Sequence, residues 1–162
     1  MKNIQEDSFY VAGYEIRTNN AKERSGHGEI GKLWQKVMQE NLVAQIPNRS
    51  DSALIVVYSK YASDEKGDFN YLIRSRVFSV DHLPVGMTYR ELAPGPYAVF
   101  ITDQGPLVAV LQAEWKKIWA MPPEQMGGKR TFLTDYEIYD QRSADQQHAQ
   151  IEIHVGLKPS SP

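Results

Sequence analysis

Apolar residues recur at helical spacing in two stretches of the chain, with polar residues between them. Such spacing predicts two amphipathic helices, each with one face turned to a core. The two apolar faces consist of Ile30, Leu33, Trp34, Val37 and Met38, and of Leu107, Val108, Leu111, Trp115, Ile118 and Trp119. Pro106 suits the first turn of the second helix, and Pro122 with Pro123 must end it, because proline lacks the amide proton that a helix interior needs.

Other stretches favour β-strands, because they are rich in β-branched and aromatic residues. They include "FYVAGYEIRT", "SALIVVYSKY", "FNYLIRSRVFSV" and "MTYRELAPGPYAVFI". The last is interrupted by a turn at residues 94–96, since proline cannot donate to a strand ladder. The segment "SDEKGD" suits a hairpin turn between the second and third stretches. Strands combined with single helices predict an α+β fold, in which helices pack on an antiparallel sheet.

The two halves of the chain resemble each other. The segments "LWQKV" and "EWKKI" align Trp34 with Trp115, and 115 − 34 gives an offset of 81 residues. The same offset places Tyr58 on Tyr139 and "FNYLIRSRV" on "QIEIHVGLK", which are both strand-like. Chance similarity between two amphipathic helices is the alternative, but the matched strands favour an internal duplication. We therefore predict a tandem duplication of a strand-helix-strand-strand unit, with two main helices about a pseudo-twofold axis.

The chain length fits a single domain over residues 1–162, because a chain of this size can enclose one core. The pseudo-repeats are expected at about 8–80 and 86–157, joined through "VDHLPVG". A cleft between two such halves is a common place for a small ligand. The glycine-rich segment "SGHGEIG" before the first helix is predicted to be a flexible loop over that cleft, and a cradle for an anion is the alternative.

Charge and composition exclude several classes of protein. A formal net charge of −2 without a basic stripe gives no electrostatic basis for binding nucleic acid. No apolar stretch approaches the roughly 20 residues that a membrane span needs. The start of the chain lacks the features of a secretory signal, so a cytoplasmic location is expected. The absence of cysteine excludes disulfides, thiolate nucleophiles and thiolate metal sites.

Common catalytic motifs are absent from the sequence. The four histidines share no metal-ligand spacing, and no HExxH motif is present. The sequence contains no GxSxG elbow, no P-loop and no GxGxxG. We therefore predict no metal site and no cofactor, and we assign no catalytic residue. Chemistry by carboxylates alone stays open.

The segment "LTDYEIYDQ" places a carboxylate between tyrosines in a predicted strand. Side chains alternate along a strand, so Glu137 shares one face with Asp135 and Tyr139. The 81-residue offset places Val56 at the equivalent position of the first half, which indicates a buried position. A buried carboxylate needs a partner. That partner is either a cation of the chain itself or the positive charge of a ligand held by aromatic faces. A further alternative is that Glu137 is exposed to solvent and needs no partner.

Aromatic residues surround this carboxylate in the predicted fold. Trp115 and Trp119 lie four positions apart on one helical face, where they belong to the core or form a flat wall beside a cleft. Trp34 is interpreted as a core residue. The strand aromatics that we consider as further pocket residues are Tyr58, Tyr71, Tyr97, Phe100 and Tyr139. Nine tyrosines against five phenylalanines suit a partly wet pocket.

Eight segments, in order along the chain, resemble the GyrI-like small-molecule-binding domain, which is also the effector-binding domain of some AraC-type and MerR-type transcription regulators. They are "FYVAGYEIRTNN", "IGKLWQKV", "VVYSKY", "FNYLIRSRV", "PGPYAVF", "EWKKIW", "TDYEIYD" and "IEIHVGL". The resemblance extends from about Ser8 to Leu157. It implies a tandem-duplicated fold with a pocket between the halves that accepts bulky, flat, often cationic compounds. It also implies that Glu137 in "DYEIY" is the buried glutamate of the family, with Tyr139 and the "EWKKIW" tryptophans as pocket walls.

The chain resembles stand-alone drug-binding members of bacteria, some carried on mobile integron cassettes. No helix-turn-helix is expected before the domain, so direct binding to operator DNA is not expected. The leading hypothesis is a binder of hydrophobic cations. Its ligand-binding residues are predicted to be Glu137, Trp115, Trp119, Tyr58, Tyr71, Phe100 and Tyr139.

Two alternatives remain beside simple binding. The first is a hydrolase of reactive electrophiles, with Glu137 as the base and its pKa raised by burial. The second is a protein-interaction module, with a topoisomerase such as gyrase or a separate regulator as partner. Neither a second pocket carboxylate with a matching motif nor the direction of Glu114 is evident from the sequence, which favours binding over catalysis.

Overall fold

A computed structural model describes residues 1–160, so the last two residues of the predicted domain lie outside the described part. Residues 1–160 fold into eight strands and four α-helices, together with short 3-10 turns at Leu42–Gln45 and Gln141–Ser143. The strands are β1 (Lys2–Glu6), β2 (Phe9–Thr18), β3 (Leu54–Ser59), β4 (Phe69–Val77), β5 (Thr88–Leu92), β6 (Gly95–Ile101), β7 (Arg130–Tyr139) and β8 (Glu152–Leu157). The helices are α1 (Asn20–Arg24), α2 (Ile30–Gln39), α3 (Leu107–Ala120) and α4 (Pro123–Met126). The predicted α+β class is confirmed.

All strands belong to one antiparallel sheet with the order β1-β6-β8-β7-β3-β4-β2-β5. This order is symmetric about its centre, where β3 and β7 pair. Strands β4 and β2 follow on one side of the centre as β8 and β6 follow on the other. The central register joins Val56 with Glu137, two residues that the 81-residue offset makes equivalent. The pseudo-twofold axis therefore passes between these two residues.

The edge strands differ from the sequence-based prediction. Strand β1 was not predicted, because the segment "KNIQE" has only one strong β-former, Ile4. Strand β5 comes from "MTYREL", which we assigned to the opening of the second half, but it pairs with β2 of the first half. Strand β1 likewise pairs with β6 of the second half. The strand that opens the first half, β1, thus lies at the edge of the second half, and the strand that opens the second half, β5, lies at the edge of the first.

The two main helices pack through their buried residues against separate apolar clusters, one in each half. Leu33 and Val37 of α2 belong to the cluster of the first half, while Trp115 and Ile118 of α3 belong to that of the second. Two predicted core residues are exceptions, since Met38 and Val108 are 65% and 63% exposed. The buried stripe of each helix is therefore narrower than the run of apolar residues in the sequence. No helix within residues 1–160 combines the length and apolar character needed to cross a membrane.

Candidate functional site

The carboxylate of Glu137 lies at the centre of the sheet and is fully buried. Its strand, β7, is an inner strand, and the residue pairs with Val56 of β3 on one side and Ile153 of β8 on the other. Both neighbours are apolar, and both are fully buried. The position is therefore built for an aliphatic side chain, as the offset to Val56 predicts.

Three aromatic side chains donate hydrogen bonds to the Glu137 carboxylate. Tyr58 Oη and Trp115 Nε1 both donate to Oε1, each at 2.7 Å. Tyr139 Oη donates to Oε2 at 2.6 Å. These distances are typical of strong hydrogen bonds to a charged acceptor. Tyr58 and Tyr139 are related by the 81-residue offset, so the two tyrosines approach the carboxylate from opposite sides of the axis.

Burial controls the protonation of this cluster. Burial raises the pKa of Glu137, and the hydrogen bonds from Tyr139, Trp115 and Tyr58 offset part of that rise. The pKa values of Tyr58 and Tyr139 are raised well above 10, first by burial and then by the negative charge of Glu137. The tyrosines therefore remain hydroxyl donors at physiological pH, and the carboxylate remains the group that responds to pH.

The Glu137 carboxylate has no ion-pair partner among residues 1–160, whose salt bridges involve other acids. Asp135, two residues earlier on the same strand face, shows the contrast. Arg130 Nη2 bonds to its Oδ2 at 2.7 Å, Tyr61 Oη donates to Oδ2 at 2.6 Å, and the Gly156 amide donates to Oδ1 at 2.9 Å. Both carboxylates of β7 are fully buried, but only Asp135 is paired with a cation of the chain, Arg130, and Glu137 is not paired.

A second layer of aromatic rings surrounds the three donors. The Tyr71 ring contacts the Tyr58 ring edge-on at 5.2 Å, and the Trp119 ring stacks on the Trp115 ring at 6.2 Å. Phe100 is buried with Trp115 in the apolar cluster of the second half. The structure thus brings six of the seven predicted residues into one continuous assembly of hydrogen bonds and ring contacts, while Phe100 joins through the core. Their role in holding a ligand stays a prediction.

Two clefts lie beside this assembly. A cleft of about 590 Å³ is bordered by Tyr61, Trp119, Arg130 and Phe132, among others. A second cleft of about 290 Å³ shares Trp119 and Glu65 with the first. Residues of both halves border these clefts. Of the predicted ligand residues, only Trp119 borders them, because the aromatic rings themselves fill the space around Glu137.

Two residues that sequence reasoning left outside the site belong to it structurally. The Trp34 ring packs against the Tyr139 ring at 5.4 Å, and its Nε1 donates to Tyr71 Oη at 2.8 Å. The 81-residue offset between Trp34 and Trp115 could have identified Trp34 as a residue of the site. Arg130 could not have been found from spacing, because it reaches the site through an irregular stretch of β7 between Arg130 and Asp135.

Other candidate groups lie outside the aromatic assembly. Glu114 bonds to the exposed Lys117 at 3.2 Å, and His154 bonds to Glu152 at 2.6 Å while its ring stacks on Tyr136. This geometry gives His154 a hydrogen-bonded structural role. Within residues 1–160, no group of three or more His, Asp or Glu side chains is placed to hold a metal ion.

Comparison with known proteins adds to this geometry. The chain is 31% identical over 148 residues to YobU of Bacillus subtilis (strain 168), a protein named for a proposed role as a transcriptional regulator, and the match covers 91% of each chain. The integron cassette protein VCH_CASS2, from the mobile metagenome of Vibrio cholerae, has a similar fold, with a TM-score of 0.72 and 24% identity over 97% of this chain and 95% of the other. The structure of SAV2435 bound to tetraphenylphosphonium is also similar, with a TM-score of 0.78 and 17% identity over 97% and 93%.

The resemblance to GyrI-like effector-binding domains is confirmed by these findings. Residues 4–157 match the family model described as Cass2, integron-associated effector binding protein. This range includes every strand except the first two residues of β1, together with all the helices and the whole aromatic assembly. The chain therefore belongs to the Cass2 family of integron-associated effector binding proteins.

Proposed function

We propose that this protein binds bulky, hydrophobic organic cations between its two halves, with the Glu137 carboxylate as the countercharge. The observation that supports the proposal most is a fully buried carboxylate with three aromatic hydrogen-bond donors and no cation of the chain within ion-pair distance among the described residues. Burial of an unpaired carboxylate costs several kcal/mol. A ligand cation offsets this cost, because it supplies the missing charge in a site of low dielectric constant.

The surrounding rings suit the same class of ligand. Trp34, Tyr71 and Trp119 extend the ring surface beyond the three donors. Aromatic faces attract cations and also pack well against flat or phenyl-bearing groups. SAV2435, a protein of similar fold, is bound to tetraphenylphosphonium, a cation with four phenyl groups. Such a site imposes little geometric demand, so we expect varied ligands with affinities near micromolar, roughly −8 kcal/mol.

Entry of a ligand requires rings to move, because they fill the space around Glu137. Trp119 is the residue best placed to open the path. It borders both clefts and stacks on Trp115, which contacts the carboxylate directly. We propose that a ligand enters from the cleft beside α3 and displaces the Trp119 ring, so that the cation reaches Glu137 along the indole of Trp115.

The hydrolase alternative has less support. Glu137 has a raised pKa, as a general base near neutral pH requires. A second carboxylate, Asp135, lies on the same strand face, but Arg130, Tyr61 and the Gly156 amide occupy its acceptor sites. The proposed role as a binding protein is therefore preferred, and a regulator or gyrase as protein partner stays a proposal.

The proposal can be tested with two ions of the same shape and opposite charge. The three tryptophans all belong to the aromatic assembly, so their fluorescence should report binding there. We expect titration with tetraphenylphosphonium to change the fluorescence with an affinity at least about tenfold tighter than that for tetraphenylborate. Equal binding of the two ions would show that hydrophobic packing alone is responsible and that Glu137 is no countercharge.

A further inference from the structure

The guanidinium of Arg130 lies near the ring of Trp115, whose Nε1 donates to the Glu137 carboxylate. Its Cζ is 4.2 Å from the ring centroid of Phe132 and 5.9 Å from that of Trp115. The side chain is only 8% exposed, yet it borders the cleft of about 590 Å³. One indole ring thus contacts both a buried carboxylate without a cation and a buried guanidinium at the cleft.

The guanidinium has hydrogen-bonding capacity that the chain does not use. Nη2 bonds to Asp135, but Nε and Nη1 are buried and have no hydrogen-bond partner. Arginine has five N–H groups in a fixed fork that matches a carboxylate in two-bonded geometry. Buried donors without partners are costly. Nε–H and Nη1–H lie on different edges of the guanidinium, so each nitrogen can donate to one oxygen of an acidic group.

The charges that border the cleft favour an acidic guest. Lys129 and Lys158 lie beside Arg130, and the Lys158 amide donates to the Lys129 carbonyl at 2.8 Å, which holds the two lysines next to each other. Glu65 is the one acidic residue among the residues that border this cleft. Arg130 is paired with Asp135, so Lys129 and Lys158 against Glu65 leave the cleft with a positive balance, although the protein as a whole has a net charge of −2.

An irregular stretch of β7 places these groups. The register against β8 shifts between Arg130, which pairs with Leu157, and Asp135, which pairs with Val155. Four residues of β7, 131–134, therefore lie opposite the single residue Gly156 of β8, and Phe132 adopts a positive φ of 53°. Bulges commonly redirect side chains beside binding sites. Here the bulge brings the Arg130 guanidinium back to Asp135 and lays Phe132 over it.

We propose that the cleft receives an acidic group attached to the same ligand whose cation binds Glu137. This inference rests on the proposed function and narrows its ligand class to flat aromatic zwitterions, with a cationic centre at Glu137 and a carboxylate at Arg130. A carboxylate oxygen accepts from one of the two unpaired nitrogens of Arg130, Nε or Nη1, once the Phe132 ring has moved aside. Lys129 and Lys158 add attraction from the open side of the cleft.

Two matched dyes test the proposal, namely tetramethylrhodamine methyl ester, a cation, and its free acid, a zwitterion with the same ring system. Fluorescence anisotropy gives the affinity of each, and the ratio of free-acid to ester affinity is the readout. We expect the wild-type ratio to be about one or higher, and Arg130→Lys to lower it about five- to tenfold. Lysine keeps a positive charge for Asp135, so the variant should fold.

A second variant tests the same cleft without changing a buried side chain. Lys129→Gln combined with Lys158→Gln changes only exposed side chains and should lower the ratio about two- to threefold. Lys32→Gln on α2, also exposed, should leave it unchanged. A wild-type ratio below about one tenth, or a ratio that Arg130→Lys does not change, overturns the acidic subsite. Failure of the ester itself to bind the wild-type protein would instead contradict the proposed function.

Discussion

At the scale of single residues, the central feature is the difference between Glu137 and Val56. The two residues pair directly across the sheet centre, and both are fully buried. Valine at such a position stabilises the core by burial of apolar surface. Glutamate there destabilises the folded protein unless it is protonated or paired. A binding protein can tolerate this loss of stability, because a bound cation pairs with the buried carboxylate.

The raised pKa of Glu137 predicts how stability depends on pH. Burial raises the pKa above its ordinary value of 4.5, so the folded protein binds this proton more tightly than the unfolded protein does. The contribution to stability is therefore fully present below pH 4.5 and is lost as the pH rises through the pKa of the folded state. Glu137→Gln removes this titration. We expect the unfolding free energy of the variant, relative to wild type, to increase from pH 4 to pH 8.

Urea unfolding at several pH values measures this difference. The matched control is Glu91→Gln, which changes an exposed glutamate on edge strand β5. Its difference from wild type should stay within about 0.5 kcal/mol at every pH, as is usual for surface substitutions. If the Glu137→Gln difference is equally flat, burial does not perturb Glu137 in the way that the structure indicates.

At the scale of helices and strands, the sequence predicted what local patterns encode. The 3.6-residue spacing of apolar residues identified α2 and α3, and the prolines identified the ends of α3. Alternation and β-branched residues identified β2, β3, β4 and most of β7. The exchange of edge strands could not be predicted, because β1 and β5 are short and polar and their partners are chosen by the tertiary fold.

The site shows the same division between local and tertiary information. Glu137, Tyr139 and their shared face follow from the strand period of two, and the donor pair Tyr58 and Tyr139 follows from the offset. The cationic cleft depends instead on the bulge in β7, which returns Arg130 to Asp135. A bulge adds residues to one strand only, and the strand period cannot reveal where this happens. The filling of the site by its own rings is likewise a property of tertiary packing.

At the scale of the whole molecule, the two halves supply matching groups on either side of one carboxylate. Each donor to Glu137 has a counterpart at an offset of 81 residues, since Tyr58 matches Tyr139 and Trp115 matches Trp34. The Trp34 indole lies against Tyr139 and now donates to Tyr71. The site is thus symmetric in these four rings and asymmetric in its charge. The symmetric place for the carboxylate is position 56.

This symmetry predicts that the charge can be moved. Glu137→Val should lower the affinity for tetraphenylphosphonium at least about tenfold, because it removes the countercharge. Val56→Glu combined with Glu137→Val places a carboxylate beside Tyr58, Tyr139 and Trp34. We expect this double variant to bind the cation at least about tenfold more tightly than Glu137→Val alone. Tryptophan fluorescence titration measures both affinities.

The position of the restored carboxylate is the control for this experiment. Val57 is also buried, but it follows Val56 in the strand and faces the opposite side of the sheet. Val57→Glu in the Glu137→Val background should therefore not restore the affinity for tetraphenylphosphonium. If Val56→Glu restores no binding although circular dichroism shows a folded protein, the two halves are not equivalent around the ligand, and the symmetric description of the site is wrong.

The central claim is that the Glu137 carboxylate supplies the charge that holds a cationic ligand, and calorimetric titration of tetraphenylphosphonium tests it most directly. Wild type, Glu137→Gln and Glu91→Gln should be compared at pH 8. We expect Glu91→Gln to bind as wild type does, while Glu137→Gln, which keeps the shape of the site, should bind about ten- to a hundredfold more weakly. Equal affinity of Glu137→Gln and wild type for the cation would contradict the account.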